Sequence, residues 1–184
     1  MSQVRVQGNA SGTGIFTVAS PNSNTNRTLT LPDNTGTLLS SGSAGTVLQV
    51  VQGAYNPLVS TSSASYVTTN LTVSITPSSA SSKILVLVAA AAAISGSQGI
   101  NSSGLFTIYR NSTQVSGDET LRNYAYGASG GVYMQIPIFL SYLDSPATTS
   151  STAYTLYMKT SASTSTFINN DAGTSYITVM EIAG

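Results

Sequence analysis

Short segments in which apolar and polar residues alternate restrict the fold of this chain more than any other feature. In the clearest of them, Leu71, Val73 and Ile75 point to one side, and Thr72 and Ser74 point to the other. This period of two is typical of a strand with one buried face. About eight such strands, with no convincing amphipathic helix, predict an all-β fold, an antiparallel sandwich of the jelly-roll type. The other segments with strand character are 46–51, 105–110, 113–115, 132–143, 153–160, 164–169 and 175–182.

One apolar run, Ile84–Ile94 (ILVLVAAAAAI), has eleven residues. A membrane-spanning helix needs about 20, so the run predicts no membrane segment. Its β-branched start favours a strand buried on both faces over a helix. The consecutive alanines within it allow close approach of another backbone, either in plain core packing or near the axis of an oligomer. The candidate trimer-axis contacts are therefore Ala89, Ala91 and Ala93.

Charge and reactive side chains are scarce. Charged residues make up 7% of the chain, against about 25% in typical globular proteins. Six basic and six acidic residues leave a formal net charge of zero, so no field draws in nucleic acid or an anionic membrane. Cysteine and histidine are absent, which removes thiolate nucleophiles, imidazole bases and the usual transition-metal ligands. We therefore expect neither enzymatic activity nor a cofactor, and no nucleic-acid or membrane partner.

The carboxylates do not form a catalytic pattern. A glycan hydrolase needs two of them about 5 to 10 Å apart across a groove, and the spacing in this sequence supports no such pair. Asn169-Asn170-Asp171 is the one small oxygen cluster that could contribute to a calcium site, but a solvated turn is its ordinary use. We expect no catalytic residue and no metal ligand among the six acids, which are Asp33, Asp118, Glu119, Asp144, Asp171 and Glu181.

The chain divides by composition into three parts. Residues 1–45 alternate short strand-like pieces with turn signals, residues 46–63 form a strand and a linker, and residues 64–184 form the sandwich domain. The strand-like pieces of the first part are 14–19, 27–31 and 36–39, which are too short to be stable alone. The polar N-terminus lacks the pattern of a secretory signal, so we expect synthesis in the cytoplasm.

Tyrosine is the dominant aromatic residue. The segment 123–131 is predicted to be a loop, and it contains the Gly-rich stretch 127–131. Three tyrosines flank this stretch. Exposed tyrosines on adaptable loops suit contacts with sugars or proteins. The alternative is that they cap the sandwich or line a trimer contact. These candidate apical contacts are Tyr124, Tyr126 and Tyr133.

Several segments resemble those of bacteriophage virion proteins. Residues 26–39 and 42–51 resemble segments of phage tail fibres, while 82–86, 109–112, 142–146 and 179–182 look like parts of trimeric jelly-roll knobs similar to tumour necrosis factor or C1q. The resemblance implies a homotrimer on the virion surface, anchored to the major capsid protein or another virion protein through residues 1–45. With so short a distance between anchor and knob, it implies a capsid decoration, or cement, protein or a short head fibre. The alternative is a tail-fibre tip that binds a glycan or protein receptor on the host surface.

Overall fold

The computed structural model describes residues 8, 10–15, 17, 19, 22–26, 28, 43–99, 101–117, 121–127, 130–161 and 164–184. The chain divides into two units, residues 1–37 and 38–184. In the first unit, none of the described residues of the strand-like piece 14–19 is in a strand, and its pairing with another copy or a partner surface stays a prediction. An extended segment becomes a strand only when a neighbour pairs with it, and no described residue does so. The segments predicted at 27–31 and 36–39 lie outside the described residues, apart from Thr28.

The described part of the second unit is built from strands, and every pairing between them is antiparallel. The prediction of an all-β antiparallel fold is therefore confirmed. A short 3-10 turn, Asn170–Ala172, precedes the last strand. The strands are β1 Val47–Tyr55, β2 Val59–Thr61, β3 Val67–Ile75, β4 Lys83–Ala90, β5 Ala92–Gly96, β6 Asn101–Arg110, β7 Thr113–Gln114, β8 Leu121–Tyr126, β9 Val132–Gln135, β10 Ile138–Asp144, β11 Thr152–Thr160, β12 Thr164–Ile168 and β13 Ser175–Ile182.

Two of the sheets enclose the core, an arrangement consistent with a β-sandwich. The first sheet has the order β1-β13-β4-β10, and the second has the order β3-β11-β6, with both β7 and β8 paired to β6. Alternate residues of each sheet point inward, because a strand presents successive side chains to opposite faces. The buried cluster between the sheets combines Ile84, Val86, Val88, Ile138, Ile177 and Val179 of the first with Leu71, Val73, Ile75, Phe106, Ile108, Tyr154, Leu156 and Met158 of the second.

The third sheet continues the first. Its order is β2-β12-β5-β9. Each of these strands is adjacent in the chain to the strand at the same position of the first sheet: β2 to β1, β12 to β13, β5 to β4 and β9 to β10. The run Ile84–Ile94 is therefore two strands separated at Ala91, and not one strand buried on both faces as predicted. The backbone of Ala91 leaves the ladder because its N–H donates to Ser175 Oγ (3.1 Å) and its carbonyl accepts from Asn169 N (2.7 Å). The segment 132–143 is interrupted in the same way at Pro137, which cannot donate to a ladder.

Asn169 fixes the junction between the first and third sheets. It is buried, with an exposed fraction of 2%, and its Nδ2 donates to the carbonyls of Tyr55 (2.9 Å) and Pro57 (3.1 Å). Its Oδ1 accepts from Ser175 Oγ at 2.6 Å. The backbone there is left-handed (φ 58°), a conformation that asparagine adopts more readily than most residues. Together with the bond from its backbone N–H to Ala91, Asn169 thus joins the connections between β1 and β2, between β4 and β5, and between β12 and β13.

Two sequence predictions have different outcomes. The predicted hairpin is confirmed, since β6 and β7 pair across the turn at Asn111-Ser112. The predicted loop 123–131 is partly wrong, because its first residues belong to β8, which pairs with the start of β6. The strand-and-linker segment 46–63 supplies β1, paired with β13, and β2, paired with β12.

Candidate assembly surface

The outer face of the first sheet, the face turned away from the core, carries an ordered set of apolar side chains. The pairing register aligns outward-pointing residues of β1, β13, β4 and β10 in rows across the strands. The three rows given below contain no charged residue, whereas the next row along this face includes Lys83, which is paired with Ile182. The three rows are Val50-Met180-Leu85-Leu143, Gln52-Thr178-Leu87-Ser141 and Ala54-Tyr176-Ala89-Phe139.

Large apolar side chains on this outer face are exposed. The exposed fraction is 72% for Phe139, 56% for Val50, 51% for Leu143 and 43% for Tyr176. Single exposed apolar residues are ordinary on protein surfaces, whereas a large contiguous apolar patch marks a contact surface. The two outer rows are apolar, and the middle row adds Leu87 among three neutral polar residues. The register connects the exposed residues through the residues between: Met180 and Leu85 lie between Val50 and Leu143, and Ala89 lies between Tyr176 and Phe139. Directly opposed side chains in an antiparallel pair lie about 5 Å apart, so each row is continuous across the sheet. The outer face of the first sheet is therefore the candidate assembly surface.

A groove runs along this surface. A depression of about 480 Å³ is lined by Leu87, Ala89, Phe139 and Tyr176, among others. A second depression of about 240 Å³ shares Ala89, Phe139 and Tyr176 and extends to Ala91. Because the small side chain of Ala89 lies between two aromatic residues on the paired strands, the groove has an alanine floor and aromatic walls. Such a shape can accept side chains from another molecule.

The structure places the three candidate axis alanines on this side of the molecule. Ala89 and Ala91 are partly exposed and line the groove. Ala93 lies farther along, in the third sheet, and is only 1% exposed. A partner could therefore reach Ala89 and Ala91 directly, but not Ala93.

The candidate apical tyrosines lie in strands that flank the Gly-rich stretch. Tyr124 and Tyr126 are in β8 and Tyr133 is in β9. Tyr126 and Tyr133 are 57% and 49% exposed, while the side chain of Tyr124 lies outside the described part of the chain. The sequence prediction does not include Phe139 and Tyr176, the aromatic residues of the groove. A signal for them exists, because apolar residues occupy both odd and even positions in 138–143 and 175–182, which indicates strands with two apolar faces.

The described carboxylates serve different structural purposes. Asp144 is 5% exposed and accepts hydrogen bonds from Arg110 Nη1 (2.9 Å to Oδ2) and from the Tyr154 hydroxyl (2.6 Å). Burial, reinforced by the hydrogen bond to Asp144, raises the pKa of Tyr154 above its ordinary value. This buried cluster joins β10 of the first sheet to β6 and β11 of the second.

Glu181, in β13, is fully buried, and Asp171 is exposed in the 3-10 turn. Among the described residues no group of three acidic, histidine or cysteine side chains could hold a metal ion. Asp33, Asp118 and Glu119 lie outside the described residues. The described carboxylates therefore provide no assembled catalytic pair on the surface.

No family model matches the chain, and no curated protein matches it. Within the described part of the chain, no helix has the length and apolar character required to cross a membrane.

Proposed function

We propose that this protein is a structural component of a bacteriophage virion that assembles as a homotrimer through the outer face of its first sheet. The observation that carries the assembly is the set of three uncharged rows, with their alanine-floored groove, on that face. The virion role rests on the resemblance of residues 26–39 and 42–51 to phage fibre segments. In this proposal, residues 1–45 bind the major capsid protein or another virion protein, and the protein decorates the capsid or forms a short head fibre.

The strand order supports the finer proposal of a jelly-roll knob. In a jelly roll, two Greek keys place the first strand beside the last and divide successive strands between facing sheets. The first sheet has β1 beside β13, with β4 and β10 following, and the facing sheet has the order β3-β11-β6-β8. This alternation is the pattern that two nested Greek keys produce.

In this proposal, trimerisation serves attachment to the particle through binding alone, and no reaction is catalysed. Three copies that bind three neighbouring sites on one particle act through effective concentration, so that weak individual contacts add to a stable attachment. The association also stabilises each copy by mass action. Without cysteine, the chain has no disulfide to provide that stability.

The assembly is tested by placing a charge in the groove. Leu87→Arg puts a guanidinium in the middle row, where a partner surface would have to desolvate it. We expect wild type to sediment at three times 18.8 kDa and Leu87→Arg to sediment as a monomer with unchanged far-ultraviolet circular dichroism. Ser74→Arg, on the exposed face of β3 in the second sheet, is the matched control and should stay trimeric. A monomeric wild type at micromolar concentration, or a trimeric Leu87→Arg, would contradict the proposed interface.

The virion role is tested on particles. Cryo-electron microscopy of purified phage should show this chain as ordered trimers on the capsid lattice. Its absence from purified particles would refute the proposal. Density restricted to the distal end of tail appendages would instead assign the protein to host adhesion.

A further inference from the structure

A small pocket lies beyond the groove, where the third sheet continues the first. It has a volume of about 170 Å³ and is bounded by β5, β9 and the 3-10 turn. Its lining combines the small or apolar residues Ala91, Ala92, Ala93, Ile136 and Pro137 with the amides of Gln135 and Asn170. The pocket is well below the roughly 300 to 1,000 Å³ of pockets that enclose drug-sized ligands. Its size therefore suits a single ring rather than an extended molecule.

Planar polar side chains surround the pocket. Gln135 Nε2 donates to the carboxylate of Asp171, and Asn170 Nδ2 donates to the hydroxyl of Tyr133. The side-chain carbonyl oxygens of Gln135 and Asn170 have no partner among the described residues. These oxygens, with the remaining amide hydrogens, offer both acceptors and donors at the rim.

Two aromatic rings lie next to the lining residues, since Tyr133 accepts a hydrogen bond from Asn170 and contacts Phe167. The ring centroids of Tyr133 and Phe167 are 6.4 Å apart with an interplanar angle of 59°. Phe167 is paired with Ala93, which in turn is paired with Gln135, so both rings lie on the side of the sheet that carries the pocket. Tyr133 is about half exposed and presents ring surface to solvent.

The turn that carries Asn170 is fixed in position by buried hydrogen bonds and close packing. Asn169, next to Asn170, is buried and bonded to Tyr55, Pro57 and Ser175. The turn also packs closely on Ala91, since a Cβ at Gly173 would lie 2.6 Å from Cβ of Ala91. A site whose polar groups are fixed before binding loses less conformational entropy when a ligand arrives.

We propose that this pocket binds one ring of an uncharged sugar. Sugar hydroxyls both donate and accept hydrogen bonds, which matches the mixture of amide, phenol and carboxylate groups, and the C–H face of a pyranose packs on aromatic surface. The described lining residues carry no charge, and the carboxylate of Asp171, which accepts from the lining residue Gln135, is next to them. An anionic sugar or a phosphate would meet an unbalanced carboxylate there. The inference goes beyond the structural role proposed above and does not require the trimer.

Saturation-transfer NMR on the full chain tests the proposal. The probes are the methyl glycosides of glucose, galactose, mannose and N-acetylglucosamine, with methyl glucuronide as the anionic comparison. We expect transfer to at least one neutral glycoside with a Kd near 1 mM, an affinity of about −4 kcal/mol, and none to the glucuronide. Absence of transfer to every neutral glycoside, or stronger binding of the glucuronide, would overturn the proposal.

Variants of the rim locate the binding. Gln135→Ala and Asn170→Ala should each weaken affinity about tenfold, the equivalent of 1.4 kcal/mol, whereas Gln98→Ala, an exposed glutamine in the turn after β5, should leave it unchanged. Equal binding by both rim variants and wild type would refute this site. Sedimentation of the same samples reports the trimer separately. Binding by the Leu87→Arg variant would therefore support the sugar site even if the assembly proposal failed.

Discussion

At the scale of single residues, the buried carboxylate of Glu181 shows how this chain stabilises a charge by hydrogen bonds. The side chain is fully buried, and it accepts hydrogen bonds from Gln49 Nε2 (2.6 Å) and from both the N–H and the hydroxyl of Ser78 (2.7 Å each). Burial alone would raise its pKa, but the hydrogen bonds from Gln49 and Ser78, with the nearby Ser82 hydroxyl, outweigh burial and lower the pKa to about 2. Neutral donors thus take the place of a basic partner.

This arrangement predicts a specific pH dependence of stability. The pKa of Glu181 is lower in the folded state than its ordinary value of 4.5, so its contribution is fully present above about pH 4.5 and is lost as the pH falls towards 2. Glu181→Gln should lower the free energy of unfolding at pH 7 by about 1.5 to 3 kcal/mol, because the donors lose their charged acceptor and the new amide NH2 faces at least one of them. Urea unfolding between pH 2 and 6 should show a shallower pH dependence for the variant than for wild type.

Ser78→Ala provides the comparison. It removes the hydroxyl donor but keeps the backbone N–H of the same residue, so its effect at pH 7 should be smaller than that of Glu181→Gln. If Glu181→Gln retained the full pH dependence of wild type, the carboxylate would not be its source.

Single residues also show what the sequence could not reveal. Glu181 reads as one polar position in an alternating strand, because its donors lie 103 and 132 positions away in the chain. The same holds for Asn169, which the sequence presents as part of a solvated turn. Long-range partners decide whether a polar residue is buried, and no local pattern records them.

At the scale of elements, local alternation predicted the strands well wherever one face is buried. The inward set Leu71, Val73 and Ile75 is 0%, 6% and 2% exposed, as the period of two indicates. The strands that deviated are those governed by distant partners. The interruption at Ala91 depends on Asn169 and Ser175, and β8 exists because it pairs with β6. The groove likewise required the register of four strands, which sequence alone does not specify.

The junction at Asn169 predicts a difference between two substitutions. Asn169→Gly and Asn169→Ala both remove the bonds to Tyr55, Pro57 and Ser175, but only glycine adopts a φ of 58° without cost. The alanine variant should therefore be less stable than the glycine variant by about 1 to 2 kcal/mol. Chemical denaturation at pH 7 measures this difference. Equal stability would mean that the backbone at the junction relaxes away from the left-handed conformation.

At the scale of the whole molecule, scarcity of charge should govern how the assembly responds to salt. The three rows on the outer face of the first sheet contain no charged residue, so no ion pair within them is available for screening. Sedimentation equilibrium in 0.05 and 1 M sodium chloride should give trimer dissociation constants within about threefold of each other. Sodium sulfate should strengthen association, since it favours burial of apolar surface. A dissociation constant that rises tenfold in 1 M sodium chloride would indicate an electrostatic interface elsewhere.

The sandwich also begins and ends at adjacent points. Gly45 N donates to Ala183 O, and Ala183 N donates to Thr46 O, both at 2.8 Å. A few added residues could therefore join the end of β13 to the start of β1, and new ends could be opened at the Asn111-Ser112 turn. Such a circular permutant would keep every strand pairing while moving its attachment point to a different part of the surface. The domain is in this respect a ready scaffold for displaying a foreign peptide in a chosen orientation.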